Sequence, residues 1–242
     1  MEYQRGTVQE VQFESVALGE AVELLVHLPA TFSPLYKYSI LIAQDGQDYF
    51  RLGRIGTLTD ELLTKKEIEN LIIVGIPYKD TDDRRSKYHP DGDKHVAYLR
   101  FLAHELVPWL DREYPTYQMG STRALAGDSL AGTVALHAAL LYPNTFGKVL
   151  AQSPYINDAL LDVVKKYSGN PPLHIYHSVG NKEDKAELVN GKIADFLSPN
   201  RELNSLFSKK PISCQYREFE GGHAWTYWQP DLRAALKELF FR

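Results

Sequence analysis

The sequence GDSLAG at residues 127–132 lies between a short β-prone run at residues 123–126 (RALA) and a stretch rich in alanine and leucine that is typical of a helix. A serine at the tip of a sharp strand-to-helix turn needs small residues two positions before and after it, because the strained turn leaves no room for larger side chains. Gly127 and Ala131 occupy those two positions around Ser129. The stretch therefore predicts a nucleophile elbow with Ser129 at its tip.

Strands and helices alternate on both sides of this turn. Two segments in which polar and apolar residues alternate predict an antiparallel pair, at residues 11–16 and 22–28. Short apolar runs then indicate parallel strands covered on both faces, at residues 40–43, 71–76, 124–126, 149–151, 174–179 and 214–219. Helices are expected between them, at residues 59–67, 94–114, 130–142, 158–167, parts of 185–208, and 231–241. This order predicts an α/β protein of three layers, with a mostly parallel eight-stranded sheet, which is the layout of the α/β-hydrolase fold.

Two prolines bear on the expected helices. Pro108 lies in the middle of the segment at residues 94–114 and should kink or split that helix, because proline removes one backbone hydrogen bond and clashes with the previous turn. Pro230 is expected in the first turn of the last helix.

The composition is ordinary for a globular protein, and we expect one domain at residues 1–242. A net charge of −4 indicates no nucleic-acid partner. No apolar run approaches the roughly 20 residues of a membrane helix, and the first residues lack the apolar segment of a signal peptide. We therefore expect a cytoplasmic protein without a membrane partner. Cys214 is the only cysteine, and its alternating surroundings predict a buried, inert thiol.

A serine hydroxyl near neutral pH needs an adjacent base, and that base needs an acid to orient it. In this fold the three residues follow in the order serine, acid, histidine. His223 comes directly after the last strand, where the base is expected, and two glycines before it let the backbone turn sharply. The turn after the preceding strand contains two candidate acids. Spacing favours Glu183, while Asp184 is the alternative and is better placed to cap a helix.

The oxyanion of an ester-cleaving reaction needs two backbone N–H donors. Leu130, directly after the serine, is the first candidate. The second is expected from the loop after the third strand, where Gly46 permits an unusual backbone angle and Gln47 presents its N–H. The pair Asp45-Gly46 equally marks a plain β-turn, and both interpretations stay open.

Several motifs occur in the order of a known family: QDGQ at residues 44–47, FLAHELVP at 101–108, ALA at 124–126, QSP at 152–154 and GHAW at 222–225. From residue 40 onward the chain resembles the putative esterase family, which includes enterobactin and related siderophore esterases, feruloyl esterases, S-formylglutathione hydrolase and the mycolyltransferases. The resemblance implies an α/β-hydrolase that cleaves esters, with Ser129 as nucleophile, His223 as base, and Leu130 and Gln47 as oxyanion donors. Ala131 replaces a glycine of many members but is still small.

Three side chains are candidate substrate contacts. Trp225, followed by Trp228, resembles the siderophore-esterase branch of the family, and core packing is the alternative. Arg84 and Arg85 lie in a charged segment at residues 78–93, which is expected to be a loop at the carboxyl end of a strand. They are candidates to contact an anionic substrate, and a solvated loop is the alternative. The histidines lack the spacing of a zinc hydrolase, so no metal is expected.

These residues together predict a serine carboxylic-ester hydrolase in which Ser129, His223 and Glu183 form a catalytic triad. The expected partner is a small-molecule ester, and no cofactor is needed. An acyltransferase would use the same residues and pass the acyl group to an alcohol. A non-catalytic binding protein on the same fold is a further alternative, which the intact candidate residues disfavour. The sequence indicates no oligomeric state.

Overall fold

The computed structural model describes residues 4–188 and 191–241. The strands are β1 (Thr7–Ser15), β2 (Glu20–Leu28), β3 (Ser39–Gln44), β4 (Leu71–Ile76), β5 (Arg123–Asp128), β6 (Lys148–Gln152), β7 (Leu173–Gly180), β8 (Ala186–Glu187), β9 (Ile193–Ala194) and β10 (Ile212–Phe219). The α-helices are α1 (Gly46–Arg51), α2 (Ile55–Thr64), α3 (Thr81–Tyr88), α4 (His95–Arg100), α5 (Val107–Glu113), α6 (Ser129–Leu141), α7 (Asp158–Lys166), α8 (Leu197–Phe207) and α9 (Trp225–Phe240). A π-helical turn covers Phe101–Leu106, and 3₁₀ turns cover Gly120–Thr122 and Glu183–Lys185.

Eight of these strands form one sheet in the order β1-β2-β4-β3-β5-β6-β7-β10. β1 and β2 pair antiparallel, β2 pairs antiparallel with β4, and every pair from β4 to β10 is parallel. The predicted mostly parallel eight-stranded sheet is confirmed, and the chain has the α/β-hydrolase fold. A short antiparallel pair, β8 and β9, was not predicted, because two-residue strands carry no readable alternation.

Hydrophobic cores cover both faces of the sheet. Along β3, Ile40 and Ile42 belong to one core, while Leu41 and Ala43 belong to the other. Successive side chains of a strand point to opposite faces, so nearly every residue of a central strand must be apolar. The first core is completed by α3 to α8, and the second by α1, α2 and α9. This packing produces the three layers and the continuous apolar runs of the sequence.

The two prolines have different outcomes. The helix expected at residues 94–114 is interrupted, with the π-helical turn directly before α5, where Pro108 lies in the first turn. Pro108 cannot donate to the carbonyl of His104, which explains the interruption. The prediction for Pro230 is wrong, because α9 begins at Trp225 and places Pro230 inside the helix. Buried packing of Trp228 holds this earlier turn in helical form.

The single cysteine and the lengths of the helices can both be compared with the sequence predictions. Cys214 is half-buried rather than buried, because β10 is the edge strand of the sheet. Burial still raises the pKa of the Cys214 thiol to about 12, so the thiol is not ionised at neutral pH. Among the residues described, no helix is long and apolar enough to cross a membrane.

Two buried histidines make the stability of the fold depend on pH. His137 in α6 forms a 2.8 Å hydrogen bond from Nδ1 to Nε2 of His95, and His177 in β7 forms a 2.6 Å bond from Nε2 to Oδ1 of Asn200. Burial lowers the pKa of each, His137 and His177, to about 4. In the unfolded chain the pKa of a histidine is about 6.5. Their stabilisation is therefore present above pH 6.5 and is lost as the pH falls toward 4.

We expect the free energy of unfolding to fall by about 2 kcal/mol for His137 and by about the same for His177 between pH 7 and pH 5. Urea unfolding at the two pH values measures this. His137→Asn should lower stability at pH 7 and flatten the pH dependence, whereas His104→Asn, at an exposed position, should leave the dependence unchanged. If His137→Asn keeps the wild-type pH dependence of the free energy of unfolding, His137 is not a source of that dependence.

Candidate active site

The elbow at the end of β5 has the backbone that the small flanking residues predict. Ser129 has φ 51°, in the left-handed region that non-glycine residues rarely adopt. A Cβ atom on Gly127 would lie 2.2 Å from the carbonyl carbon of Ala131, so no larger residue fits there. Ala131 is itself fully buried. The requirement for small residues on both sides of Ser129 is therefore confirmed.

The structure brings the serine, histidine and glutamate side chains together. Ser129 Oγ lies 2.9 Å from Nε2 of His223, and Nδ1 of His223 lies 2.7 Å from Oε2 of Glu183. The three residues follow β5, β10 and β7 respectively, at the carboxyl ends of parallel strands. Sequence separations of 94 and 40 residues are thus closed by the topology of the sheet.

The environments of the two candidate acids differ. Glu183 is fully buried, and its second carboxylate oxygen, Oε1, accepts hydrogen bonds from the Gly180 N–H at 2.8 Å and the Ser153 hydroxyl at 2.7 Å. Asp184 is exposed to solvent. Among the carboxylates of the described residues, only that of Glu183 makes a hydrogen bond with the His223 ring.

Side chains that the sequence did not single out as site residues support this arrangement. Trp228 donates its indole N–H to Ser153 Oγ at 3.0 Å, and its ring lies edge-on to the His223 ring at a centroid distance of 4.8 Å. The Phe196 ring also packs against His223, at a centroid distance of 4.0 Å. His223 thus packs against two aromatic rings, and only 10% of its side chain is exposed. Ser153, with φ 45°, repeats the left-handed turn of Ser129 one strand away.

Of the two glycines before His223, Gly221 is required for space, and neither adopts an unusual backbone angle. Neither Gly221 nor Gly222 has a positive φ. A Cβ atom on Gly221 would lie 2.2 Å from the ring of Tyr227, so a side chain at this position would displace the first turn of α9.

The candidate oxyanion donors occupy equivalent positions in the helices that follow two neighbouring strands. Leu130 is the second residue of α6, after β5, and Gln47 is the second residue of α1, after β3. The first N–H groups of a helix have no partner within it. Within residues 4–188 and 191–241, neither of these two N–H groups donates to an acceptor.

The structure overturns the β-turn interpretation of the loop before Gln47 and corrects the role of Gly46 in the other one. Residues 45–47 are not a plain β-turn, because α1 begins at Gly46. Asp45, not Gly46, has the unusual backbone angle, with φ 54°. Gly46 is required for space, because its Cβ would lie 2.4 Å from the backbone of Gly75 and Ile76.

The candidate substrate contacts lie in three different environments. The segment at residues 78–93 is not simply a loop, because α3 forms within it, with Asp80 capping its first turn. Arg84 binds the carboxylate of Asp45, with three distances between 2.6 and 3.0 Å. Arg85 is exposed. Trp225 is half-buried and packs edge-on against Tyr49 at 4.9 Å.

Comparisons with known proteins agree with this fold. The chain matches the family described as Putative esterase over residues 15–239. It is 54% identical over 234 residues to the uncharacterized protein YjcH of Bacillus subtilis (strain 168), covering 97% of this chain and 98% of the relative. It is 23% identical to an acetyl esterase of Caldicellulosiruptor saccharolyticus, covering 95% of this chain and 97% of that one.

A solved structure shows the same fold at low sequence identity. The enterochelin esterase of Shigella flexneri superposes with a TM-score of 0.81 at 20% identity, covering 96% of this chain and 57% of the esterase. The family match extends over nearly all of the chain, from β1 to α9. The chain therefore belongs to the Putative esterase family.

Proposed function

We propose that this protein is a serine carboxylic-ester hydrolase. The observation that carries the proposal is the continuous hydrogen-bonded chain from Ser129 through His223 to the buried Glu183. A serine with a base at 2.9 Å and an orienting acid behind that base is the arrangement that activates a hydroxyl for attack on a carbonyl. Membership of an esterase family agrees with this chemistry.

In the proposed reaction Ser129 Oγ attacks the ester carbonyl carbon while His223 Nε2 takes the hydroxyl proton. Glu183 accepts a hydrogen bond from Nδ1 and stabilises the imidazolium that forms. The proton then passes to the leaving alcohol, and an acyl-enzyme remains. Water attacks this acyl-enzyme with His223 again as base, which releases the carboxylic acid and restores the serine.

The N–H groups of Leu130 and Gln47 are proposed to stabilise the oxyanion of each tetrahedral intermediate. Both lie in the first turn of a helix, where unpaired donors and the helix dipole favour negative charge. The removal of one such donor typically costs a factor of about 100 to 1000 in kcat. The two N–H donors together are thus expected to contribute about as much to kcat as Glu183 does.

We infer that the substrate is a small-molecule ester and leave two classes for experiment. A siderophore-like role rests on the fold of enterochelin esterase and on Trp225, but Trp225 packs against Tyr49 as a core residue would. The acetyl esterase relative points instead to short acyl groups. Arg85 remains the candidate contact for an anionic substrate because it is exposed.

Initial rates on p-nitrophenyl esters from acetate to octanoate, and on a catecholate trilactone, test the proposal. We expect enzymatic release of p-nitrophenol from at least the acetate, preceded by a burst if deacylation is slow. Preference for the trilactone would support the siderophore-like role. No hydrolysis of any of these esters above the rate in buffer would overturn the proposed function.

Glu183→Gln should lower kcat by roughly 10,000-fold, because the imidazolium loses its partner and the ring loses its correct tautomer. Asp184→Asn is the matched control, one residue away and exposed, and should change kcat by less than about tenfold. Steady-state kinetics on p-nitrophenyl acetate distinguish the two variants. If Asp184→Asn has the larger effect, Glu183 is not the acid of the triad.

A further inference from the structure

The turn that presents Gln47 has a backbone that must be held from outside. Asp45 has φ 54°, and a non-glycine residue in this region costs on the order of 1–3 kcal/mol. Asp45 is also the residue before α1, where an aspartate commonly caps the helix, yet its side chain makes no capping hydrogen bond. Its carboxylate is used elsewhere, so the strained turn depends on another partner.

That partner is Arg84 of α3. Its Nε lies 3.0 and 2.9 Å from Oδ1 and Oδ2 of Asp45, and its Nη2 lies 2.6 Å from Oδ2. The pair is shielded from water, since 21% of the Arg84 side chain and 3% of the Asp45 side chain are exposed. The guanidinium carbon also lies 5.8 and 5.6 Å from the ring centroids of Tyr78 and Tyr88. A planar fork held this way fixes the direction of the carboxylate as well as its distance.

Both tyrosines that flank Arg84 bind the same turn. The Tyr88 hydroxyl accepts the Asp45 N–H at 3.2 Å. Tyr78 donates its backbone N–H to Oε1 of Gln47 at 3.3 Å and its hydroxyl to Oδ2 of Asp48 at 3.2 Å. These contacts engage the side chain of Gln47 and leave its backbone N–H without an acceptor in the described chain.

Charge gives Arg84 a second effect on the same site. Asp45 and Asp128 are both buried, and they directly precede the helices that carry Gln47 and Ser129. An uncompensated carboxylate at either position would repel an oxyanion formed at those helix starts, and repulsion is strong where water is excluded. The guanidinium of Arg84 binds Asp45 and neutralises the negative charge of its carboxylate.

We propose that Arg84 is a positioning residue that holds the Asp45–Gln47 turn in place for the oxyanion, and not a contact for the substrate. The inference rests on the proposed function, because it takes the Gln47 N–H as an oxyanion donor. Nε and Nη2 of Arg84 both bind Asp45, so Arg84 acts on the reaction only through that turn.

Arg84→Lys tests this role, because lysine keeps the positive charge and loses the fork. Arg201→Lys is the matched control. Arg201 binds Glu218 through a similar fork, with two distances of 2.8 Å, but at the surface between α8 and β10. With p-nitrophenyl acetate, Arg84→Lys should lower kcat by roughly 10- to 100-fold and leave KM within about twofold, because a displaced donor affects the transition state. Arg201→Lys should leave both within about twofold.

A second measurement separates positioning from damage to the fold. Diethyl p-nitrophenyl phosphate phosphorylates an activated serine and releases one p-nitrophenol, and its phosphoryl oxygen needs the same donors. In Arg84→Lys the amount released should stay near one per chain while the rate of release falls in parallel with kcat. A lower amount at the wild-type rate would mean that part of the protein is unfolded, and would overturn the positioning role.

Other outcomes also decide the question. Wild-type kcat in Arg84→Lys, or a raised KM with unchanged kcat, would overturn the inference, and the second would make Arg84 a substrate contact. If Arg84→Lys does not fold, Arg84→Gln replaces it, because it removes the fork and the charge and keeps one donor toward Asp45. Wild-type kcat in that variant would overturn the inference. If the wild-type protein reacts with neither reagent, the proposed function fails, and the inference fails with it.

Discussion

Ser129→Ala is expected to lower kcat/KM for p-nitrophenyl acetate by at least about a thousandfold, since removal of a triad nucleophile commonly costs up to about a millionfold. The oxyanion donors and the binding surface remain in this variant and account for any residual rate. Measurement needs protein free of contaminating esterase, so the stoichiometry of p-nitrophenol release from diethyl p-nitrophenyl phosphate should be recorded as well. We expect no stoichiometric release from Ser129→Ala.

The thermal midpoint of Ser129→Ala should stay close to that of the wild type. Alanine adopts the left-handed backbone at residue 129 about as poorly as serine, so the strain of the turn is unchanged. The lost hydroxyl contributes one hydrogen bond to His223, which is worth about 1 kcal/mol. A variant that keeps more than about a thousandth of the wild-type turnover would exclude Ser129 as the nucleophile.

The parts of this protein that sequence analysis could predict are those governed by local rules. The apolar runs of the central strands follow from burial on both faces, and the small residues around Ser129 follow from a backbone with no room for side chains. Both requirements act on residues within a few positions of each other. Spacing favoured Glu183 over Asp184 but left Asp184 as an alternative, because the choice depends on which carboxylate is buried, and in the structure Glu183 is buried and Asp184 is exposed.

The parts that could not be predicted involve partners far apart in the chain. Arg84 was a candidate substrate contact because its segment follows the carboxyl end of a strand, where ligands bind in such sheets. Its partner Asp45 lies 39 residues away, and no sequence signal links the two. The hydrogen bond between Ser153 and Glu183 spans 30 residues. The unusual backbone angle was expected at Gly46 but occurs at Asp45, since tertiary contacts can force a non-glycine residue into the left-handed region.

His223→Ala is expected to lower kcat by the same order as Ser129→Ala, because without a base the hydroxyl of Ser129 is a weak nucleophile at neutral pH. The structure makes a sharp test possible, because His223 contacts both Ser129 and Glu183 and packs against the rings of Phe196 and Trp228. Loss of the ring leaves a cavity there, so stability should be measured beside activity. His104→Ala, at an exposed position, is the control and should keep nearly full activity.

The double variant Ser129→Ala/His223→Ala decides whether the two residues act as one unit. A nucleophile and its base contribute to the same step, so the loss of the second should add little once the first is gone. We expect the double variant to be within about tenfold of either single variant in kcat, which is far from the product of the two losses. Multiplicative losses would mean that His223 contributes to a step that does not involve Ser129. That result would separate the hydrogen bond between them from the chemistry, and the 2.9 Å contact would then be structural.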